Sequence, residues 1–565
     1  MSSSHTAMSS DEVIAAVHEG SLPPKTKLDP ETSNHVLRYL CPLPLYVEQH
    51  AIKTVAKSVN GNELNLHGTT MTKEHLAIIK SQKLTSLTIG YLKELKDFHK
   101  PIGRSREDAG AVSKHKANRL NCREARGRPS ASGVIVDLGE LLKASLKPGA
   151  MKELTHLDLS PPPSGIDGRV NGSQEQFADG WAQSIGTMLP SLTHLCLRDR
   201  VTSKKQFEIL CSHCPSLEFL DLTNTAMTSL DHISKLQNLH TLKIGCNPIA
   251  DARFMNELVK LDKLRNLSFE CHKGGCNCYN EENNALKWFL ESKKSLKQLE
   301  FVDFSTAYEI EDESVKLFVR RHPKLKMISL CDTENCEVDY PGIEVLHNDT
   351  LKAACKSLEF YLEQKNSRMV DRLMEKVYEA LENEKKPAKA DLQNCWKIVT
   401  VAVEKYGFLE YVWNYAKYVF EIMMGKPNFK KTISDANRLK TINVLLNVIS
   451  RSLISRSPTH EDDDYDAVES DEKTSEAMEL LNNRVLLLET SDVDYNRLAS
   501  MILRILEKAD DIEQYMKVFN IIKEQIDPDA EEFKKVNIPK VVENLEALNS
   551  PGAKEALDNI RNYFQ

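Results

Sequence analysis

No apolar run in this chain approaches the 18 residues that mark a membrane-crossing helix, so none is expected. The first ten residues, Met1 to Ser10, lack the basic-then-apolar layout of a secretory signal. Nucleotide signatures are missing as well: neither G-x-x-x-x-G-K-[ST] nor G-x-G-x-x-G behind a strand occurs. There is no G-x-S-x-G elbow and no H-E-x-x-H helix. No histidine is tied by spacing to a serine or cysteine nucleophile. These absences leave no catalytic apparatus to assign, and the chain is expected to be neither an enzyme nor the holder of a cofactor. A dominant charge is lacking too. The 74 Lys and Arg face 82 Asp and Glu, giving a net charge of −8, which speaks against a polyanion binder. The 13 cysteines are odd in number and scattered, several inside apolar repeat lines. That usage suits free thiols in a reducing compartment, cytoplasmic or nuclear, rather than a disulfide framework.

What the chain does have is a repeat. Leu217, Leu220 and Leu222 fit the line L-x-x-L-x-L, and Leu239, Leu242 and Ile244 repeat it. Such a line is a short strand whose alternate residues enter a core, followed by a turn and a return segment. Leu230, Ile233 and Leu236 stand at helical spacing between the two lines, as a return segment should. Further lines are Leu84, Leu87, Ile89; Leu154, Leu157, Leu159; Leu192, Leu195, Leu197; Leu264, Leu267, Phe269; Leu296, Leu299, Phe301; and Leu325, Ile328, Leu330. Leu64 and Leu66 make a partial one. From Leu192 onward the first leucines are 25, 22, 25, 32 and 29 residues apart, close to the 20–29 of leucine-rich repeats. The 70 residues from Leu84 to Leu154 are expected to hold a degenerate repeat plus an insertion. The insertion, near 100–130, carries nine Lys or Arg against three acidic residues between Lys100 and Arg128. With no aromatics interleaved it reads as a solvated loop and not as a nucleic-acid site.

Ahead of the repeats, residues 1–27 read as a flexible terminus and 28–60 as a helical cap. Asp29 is a good N-cap, Pro30 suits the first helical position, and Val36, Leu37 and Leu40 form an apolar stripe ended by Pro42 and Pro44. Cys271, Cys276 and Cys278 beside His272 form the one metal-like cluster, but no second pair at finger spacing completes four ligands. Cys211, His213 and Cys214 precede a repeat line, where small buried thiols are the simpler reading.

After the repeats, at 61–340, the pattern becomes helical. Leu351, Ala354, Leu358, Tyr361 and Leu362 share one face, and further amphipathic segments of 12–18 residues follow as far as 565. This is how stacked helices of the armadillo or HEAT type read, here over 350–565. An acidic stretch at 459–474 is expected to interrupt them as a loop. The expected fold is an α/β leucine-rich-repeat solenoid followed by an all-α armadillo/HEAT-like solenoid. Two extended surfaces end to end imply a binding protein, without saying of what.

Three strings carry a resemblance. Leu217-Glu-Phe-Leu-Asp-Leu-Thr-Asn-Thr-Ala-Met-Thr228, Val315-Lys-Leu-Phe-Val-Arg-Arg-His-Pro-Lys-Leu-Lys-Met-Ile-Ser-Leu330 and Ser357-Leu-Glu-Phe-Tyr-Leu-Glu-Gln-Lys-Asn-Ser-Arg-Met-Val370 resemble, in this order, the Zyg-eleven/Zer-one family of substrate receptors for cullin-two RING ubiquitin ligases. The resemblance implies a substrate-recognition subunit whose N-terminal boxes dock elongin C and cullin-two and whose armadillo-like region captures degrons. Leu28, Pro30, Val36, Leu37 and Leu40 are similar to the cullin-side box, and Cys41 and Leu45 complete the one cysteine-centred candidate for the elongin side. No cysteine lies at Asp11–Gly20, where the elongin box belongs, and the helical tail is shorter than the family's. No substrate residue is carried over. The alternative is a scaffold or regulatory protein without ligase association.

Overall fold

The computed structural model describes residues 28–40, 59–66, 69, 71–100, 134–161, 175–249, 252–270, 285–307, 310–333, 339–407, 409–455, 464–488, 490–506, 513–548 and 551–564. The chain divides into two units, Met1–Val345 and Leu346–Gln565.

The first unit is built on a ten-stranded sheet whose strands, from Glu63–Asn65 to Glu344–Leu346, follow chain order. Each strand is only three residues long, because each repeat has one residue to bury at its centre and turns away on either side. Leu64, Leu87, Leu157, Leu195, Leu220, Leu242, Leu267, Val302 and Ile328 stand opposite one another in parallel register. None of these nine is more than 2% exposed. Full burial of one such side chain stabilises by roughly 1.5–3 kcal/mol, so this single row is a large part of the core. On the other side of that core run short helices, among them Leu138–Ser145, Trp181–Met188, Lys204–His213, Ala285–Glu291 and Asp312–Arg321.

Two features of the repeat line are corrected. The line Leu296, Leu299, Phe301 is shifted by three residues: the strand is Phe301–Asp303, with Val302 fully buried and Phe301 half-buried. The true line is Leu299, Val302, Phe304. The backbone gives an independent check. Asp199, Asn224, Cys246, Thr306 and Asp332 have φ between 55° and 63°, the left-handed region. Each stands seven positions after Leu192, Leu217, Leu239, Leu299 or Leu325. The masquerade arose because Leu296 caps the preceding turn, where its carbonyl accepts from Leu299 N–H at 3.2 Å. Nor does a degenerate repeat lie between Leu84 and Leu154: Ser86–Thr88 pairs directly with His156–Asp158. The extra chain instead forms part of a second sheet, in which Ile135–Val136 lies between His99–Lys100 and Gln176–Phe177. The basic insertion falls outside the described residues apart from its edge at Lys100, which pairs with Asp137 at 2.7 Å.

The second unit is all helix. One row contains Leu351–Glu363, Lys389–Tyr406, Asp435–Ser455, Tyr495–Leu506 and Ile538–Leu548; the other contains Ser367–Asn383, Glu410–Met424, Asp464–Leu481, Glu513–Ile522 and Pro551–Phe564. Each helix packs against its neighbours within its row, so five pairs stack as a helical solenoid. The expected face of the first helix is correct: Leu351, Ala354, Leu358, Tyr361 and Leu362 are all buried. The acidic loop expected at 459–474 is corrected in part. Asp464–Leu481 is a continuous helix, with acidic residues at the terminus where the helix dipole favours them. Its later turns are anchored by buried Ala477, Met478 and Leu481. Residues 459–463 lie outside the described set.

Candidate protein-interaction surface

The N-terminal helix Pro30–Leu40 begins as the sequence indicates. Asp29 accepts from Thr32 N–H at 3.0 Å and from the Thr32 hydroxyl at 2.7 Å, and these bonds hold its carboxyl below the ordinary range. The apolar stripe, however, faces into the first unit. Val36 and Leu37 are 0% exposed, and the helix packs on the edge strand Glu63–Asn65. Asn34 Oδ1 accepts from Asn62 N–H at 3.0 Å and Glu63 N–H at 3.1 Å, while Ser33 Oγ accepts from Asn60 N–H at 3.0 Å. These side chains satisfy amides at an open sheet edge, which would otherwise invite pairing with another chain. As docking residues, Val36 and Leu37 are therefore corrected: they belong to the cap's own core. Leu28 is half-buried and Pro30 exposed. Leu40 ends the helix; its side chain, and all of Cys41 and Leu45, lie outside the described features.

The outer face of the sheet is shaped by the residues flanking each buried leucine. The residue after it faces a polar layer that the fold itself consumes. Asp158, Asp221 and Asp303 occupy equivalent positions and accept the N–H two residues on, at 2.8 Å from Ser160, 2.9 Å from Thr223 and 2.9 Å from Ser305. Arg198 donates through Nε and Nη2 to Asp221 Oδ2 at 3.2 and 3.0 Å and stands 3.7 Å from Glu270. Arg198, Asp221 and Glu270 are all buried. Although burial alone would raise the Asp221 carboxyl, the Arg198 guanidinium beside it holds it below the ordinary range. Asn247 closes the next turn. Its Oδ1 accepts from Thr225 N–H at 3.2 Å and Met227 N–H at 2.9 Å, and its Nδ2 donates to Leu222 O at 2.6 Å. Such residues are structural.

The residue before each member of the buried row is open. In chain order these are Glu63, Ser86, His156, His194, Phe219, Thr241, Asn266, Phe301 and Met327; His156 is exposed and the rest are half-buried. The His156 and His194 rings stack at 3.9 Å, His194 stacks on Phe219 at 5.7 Å, and Lys243 Nζ lies 5.6 Å from the Phe219 ring. Thr155 Oγ meets His156 Nδ1 at 2.8 Å, and Thr193 Oγ meets His194 Nδ1 at 2.9 Å, so each ring is oriented by the hydroxyl of the residue just before it. Burial, then the neighbouring His156, pushes the His194 imidazole below 6.5. His194 therefore resists charging. This gives a continuous aromatic ridge, partly exposed, of the kind that anchors protein partners. The repeated Thr-His dipeptides at 155–156 and 193–194 were its signal in the sequence.

Among the described residues no group of three or more His, Cys, Asp or Glu could hold a metal ion, and no helix is long and apolar enough to cross a membrane. Cys271, Cys276 and Cys278 fall outside the described residues. Burial pushes the Cys211 and Cys214 thiols up to about 12, which keeps them protonated and inert.

Comparison with known proteins agrees with the repeat. A leucine-rich-repeat model of two copies matches residues 215–258. The chain is similar to gastrulation-defective protein 3 of Caenorhabditis elegans, with 26% identity over 246 residues. That match covers 43% of this chain and 32% of the other, so the chain spans about a third of the length of that curated relative. Among solved structures, an internalin from Listeria monocytogenes matches at 13% identity over 36% of this chain and 78% of its own, with a TM-score of 0.18. A score that low carries no argument; the fold rests on the strand register and the repeat model. The chain thus carries a leucine-rich-repeat protein-interaction domain followed by a helical solenoid.

Proposed function

We propose that this protein is a non-catalytic substrate-recognition subunit of a cullin-RING ubiquitin ligase, working in the cytoplasm or nucleus. It binds target proteins and joins them to cullin-two and elongin C. The observation that carries its binding role is the partly exposed ridge His156–His194–Phe219, an aromatic surface set on the sheet beneath it. The ligase assignment is supported by the three strings that resemble the Zyg-eleven/Zer-one family and by the change from repeats to helices where that family makes it. A second reading, a free-standing scaffold, is favoured by the burial of Val36 and Leu37, which removes two of the expected docking side chains from reach.

Affinity purification of the tagged full-length chain, followed by mass spectrometry, separates the two. The ligase reading expects cullin-two and elongin C well above a tag-only control. It also expects Leu28→Asp, at a half-buried position, to reduce them while the chain remains folded by circular dichroism. Recovery of neither at equal expression leaves the scaffold.

A further inference from the structure

The second unit carries a surface that the repeat architecture does not require. In the helix Glu410–Met424 the buried stripe is Val412, Trp413, Ala416, Val419, Phe420 and Met423. Beside it, at spacings of four and three, stand Tyr411, Tyr415 and Tyr418. The adjacent helix Ser367–Asn383 adds Tyr378, whose ring centre is 5.8 Å from Tyr415 and 5.6 Å from Tyr418; Tyr411 stacks on Tyr415 at 6.5 Å. Tyr418 is 46% exposed, one of three large apolar side chains at least that open among the described residues.

Carboxylates edge these rings. Glu375, Tyr378 and Glu382 stand at spacings of three and four on one helix, and the carboxylates of Glu375 and Glu382 act on the Tyr415 and Tyr378 phenols, both of which are pushed up. Burial and then Glu375 push the Tyr415 phenol up to about 12, so it stays a donor. Glu375 and Glu382 have no cationic partner among the described residues. Lys376, at the rim, is taken up by Glu379 at 2.8 Å, and Lys417, on the far side of its helix, by Glu476 at 2.8 Å. The surface therefore offers electron-rich ring faces with unneutralised negative charge at their edges. That combination attracts cations twice over, through the ring quadrupole and through the carboxylates.

We infer that the paired faces of Ser367–Asn383 and Glu410–Met424 bind an extended lysine- or arginine-rich segment of another protein, its side-chain cations seated over Tyr378, Tyr415 and Tyr418 against Glu375 and Glu382. Neutral apolar segments would leave the two carboxylates desolvated and unpaired, and acidic ones would be repelled. The surface reads side-chain charge, and it serves whether or not the chain joins a ligase.

The test is fluorescence anisotropy on the full-length protein with a short N-acetylated, C-amidated peptide of alternating lysine and serine. Binding is expected to weaken with added salt. Tyr418→Ala should lower affinity about two- to fivefold, the size of an exposed cation–π contact, while Tyr418→Phe keeps the ring and most of the affinity. The double change Glu375→Gln and Glu382→Gln should lower it at least as far, and Glu555→Gln, exposed on the last helix, should not. Removing the acetyl group should change little. The inference is overturned if the peptide fails to bind, if Tyr418→Ala and the double change both leave affinity as it was, if a glutamate–serine peptide binds equally, or if binding demands the free amino terminus.

Discussion

Neighbouring repeats of the first unit are joined through the main chain: Leu222 N–H reaches Lys243 O at 2.8 Å, and Ile244 N–H reaches Ser268 O at 2.9 Å. Helices of the second unit satisfy their own backbones, and neighbours meet through side chains, as Trp396 does with Phe420 at 4.8 Å and Phe429 at 5.0 Å. The contrast has a chemical consequence. Where backbones of successive repeats approach closely, only a few residue types fit. A Cβ on Gly245 would stand 1.6 Å from Glu270 O, and Asn247 serves donors and acceptors of two repeats at once. Where only side chains meet, any apolar residue of suitable size will do. Polar groups follow the same division: Asp221 and Asn247 bind main chain of the turns, whereas Glu476 binds the side chains Trp413 and Lys417 at 2.6 and 2.8 Å.

If this contrast is right, the largest effects come from polar groups buried among the repeats. Arg198→Met leaves Asp221 and Glu270 buried without their cation and should cost about 3–5 kcal/mol of the first unit's stability. Denaturant unfolding followed by fluorescence of Trp181 and Trp288 would measure it. Leu242→Ala, at the centre of the buried row, should cost about 2–5 kcal/mol in the same assay. Glu476→Gln in the second unit keeps the shape and loses only charge-assisted bonds in a partly exposed pair, for about 1–2 kcal/mol. A larger loss there than for Arg198→Met would break the contrast.

A gentler probe is pH. The His194 imidazole titrates below 6.5 in the folded chain, so between its folded value and 6.5 the unfolded chain binds more protons. Its contribution is fully present above 6.5 and is lost as pH falls through that window. The first unit should therefore weaken on mild acidification, and His194→Asn should flatten the profile. The smallest effect on stability is expected of Phe219→Ala, about 1 kcal/mol or less for this half-buried ring, yet it should weaken binding of a partner on the ridge roughly tenfold.

The same contrast explains what could be read in advance. Leu217 to Ile244 was legible because main-chain pairing fixes leucine, asparagine and a left-handed position at set intervals. Leu296 misled because it is also a leucine at a plausible interval, and only the turn geometry at Thr306 separates it from Leu299. The helices were legible as elements from their apolar faces. Their stacking as about four or five pairs was legible from their lengths and short polar breaks, and five pairs are present. Val36 and Leu37 gave an amphipathic stripe, and a stripe alone does not say whether its own chain or another covers it. The ridge was missed because each of His156, His194 and Phe219 is unremarked until the register places them side by side.

The most direct test mixes purified full-length protein with purified cullin-two and elongin C at micromolar concentrations and follows the mixture by size-exclusion chromatography. A ligase subunit should give one co-eluting complex containing all three. Separate elution of this chain from both, with the chain folded by circular dichroism, would contradict the ligase reading.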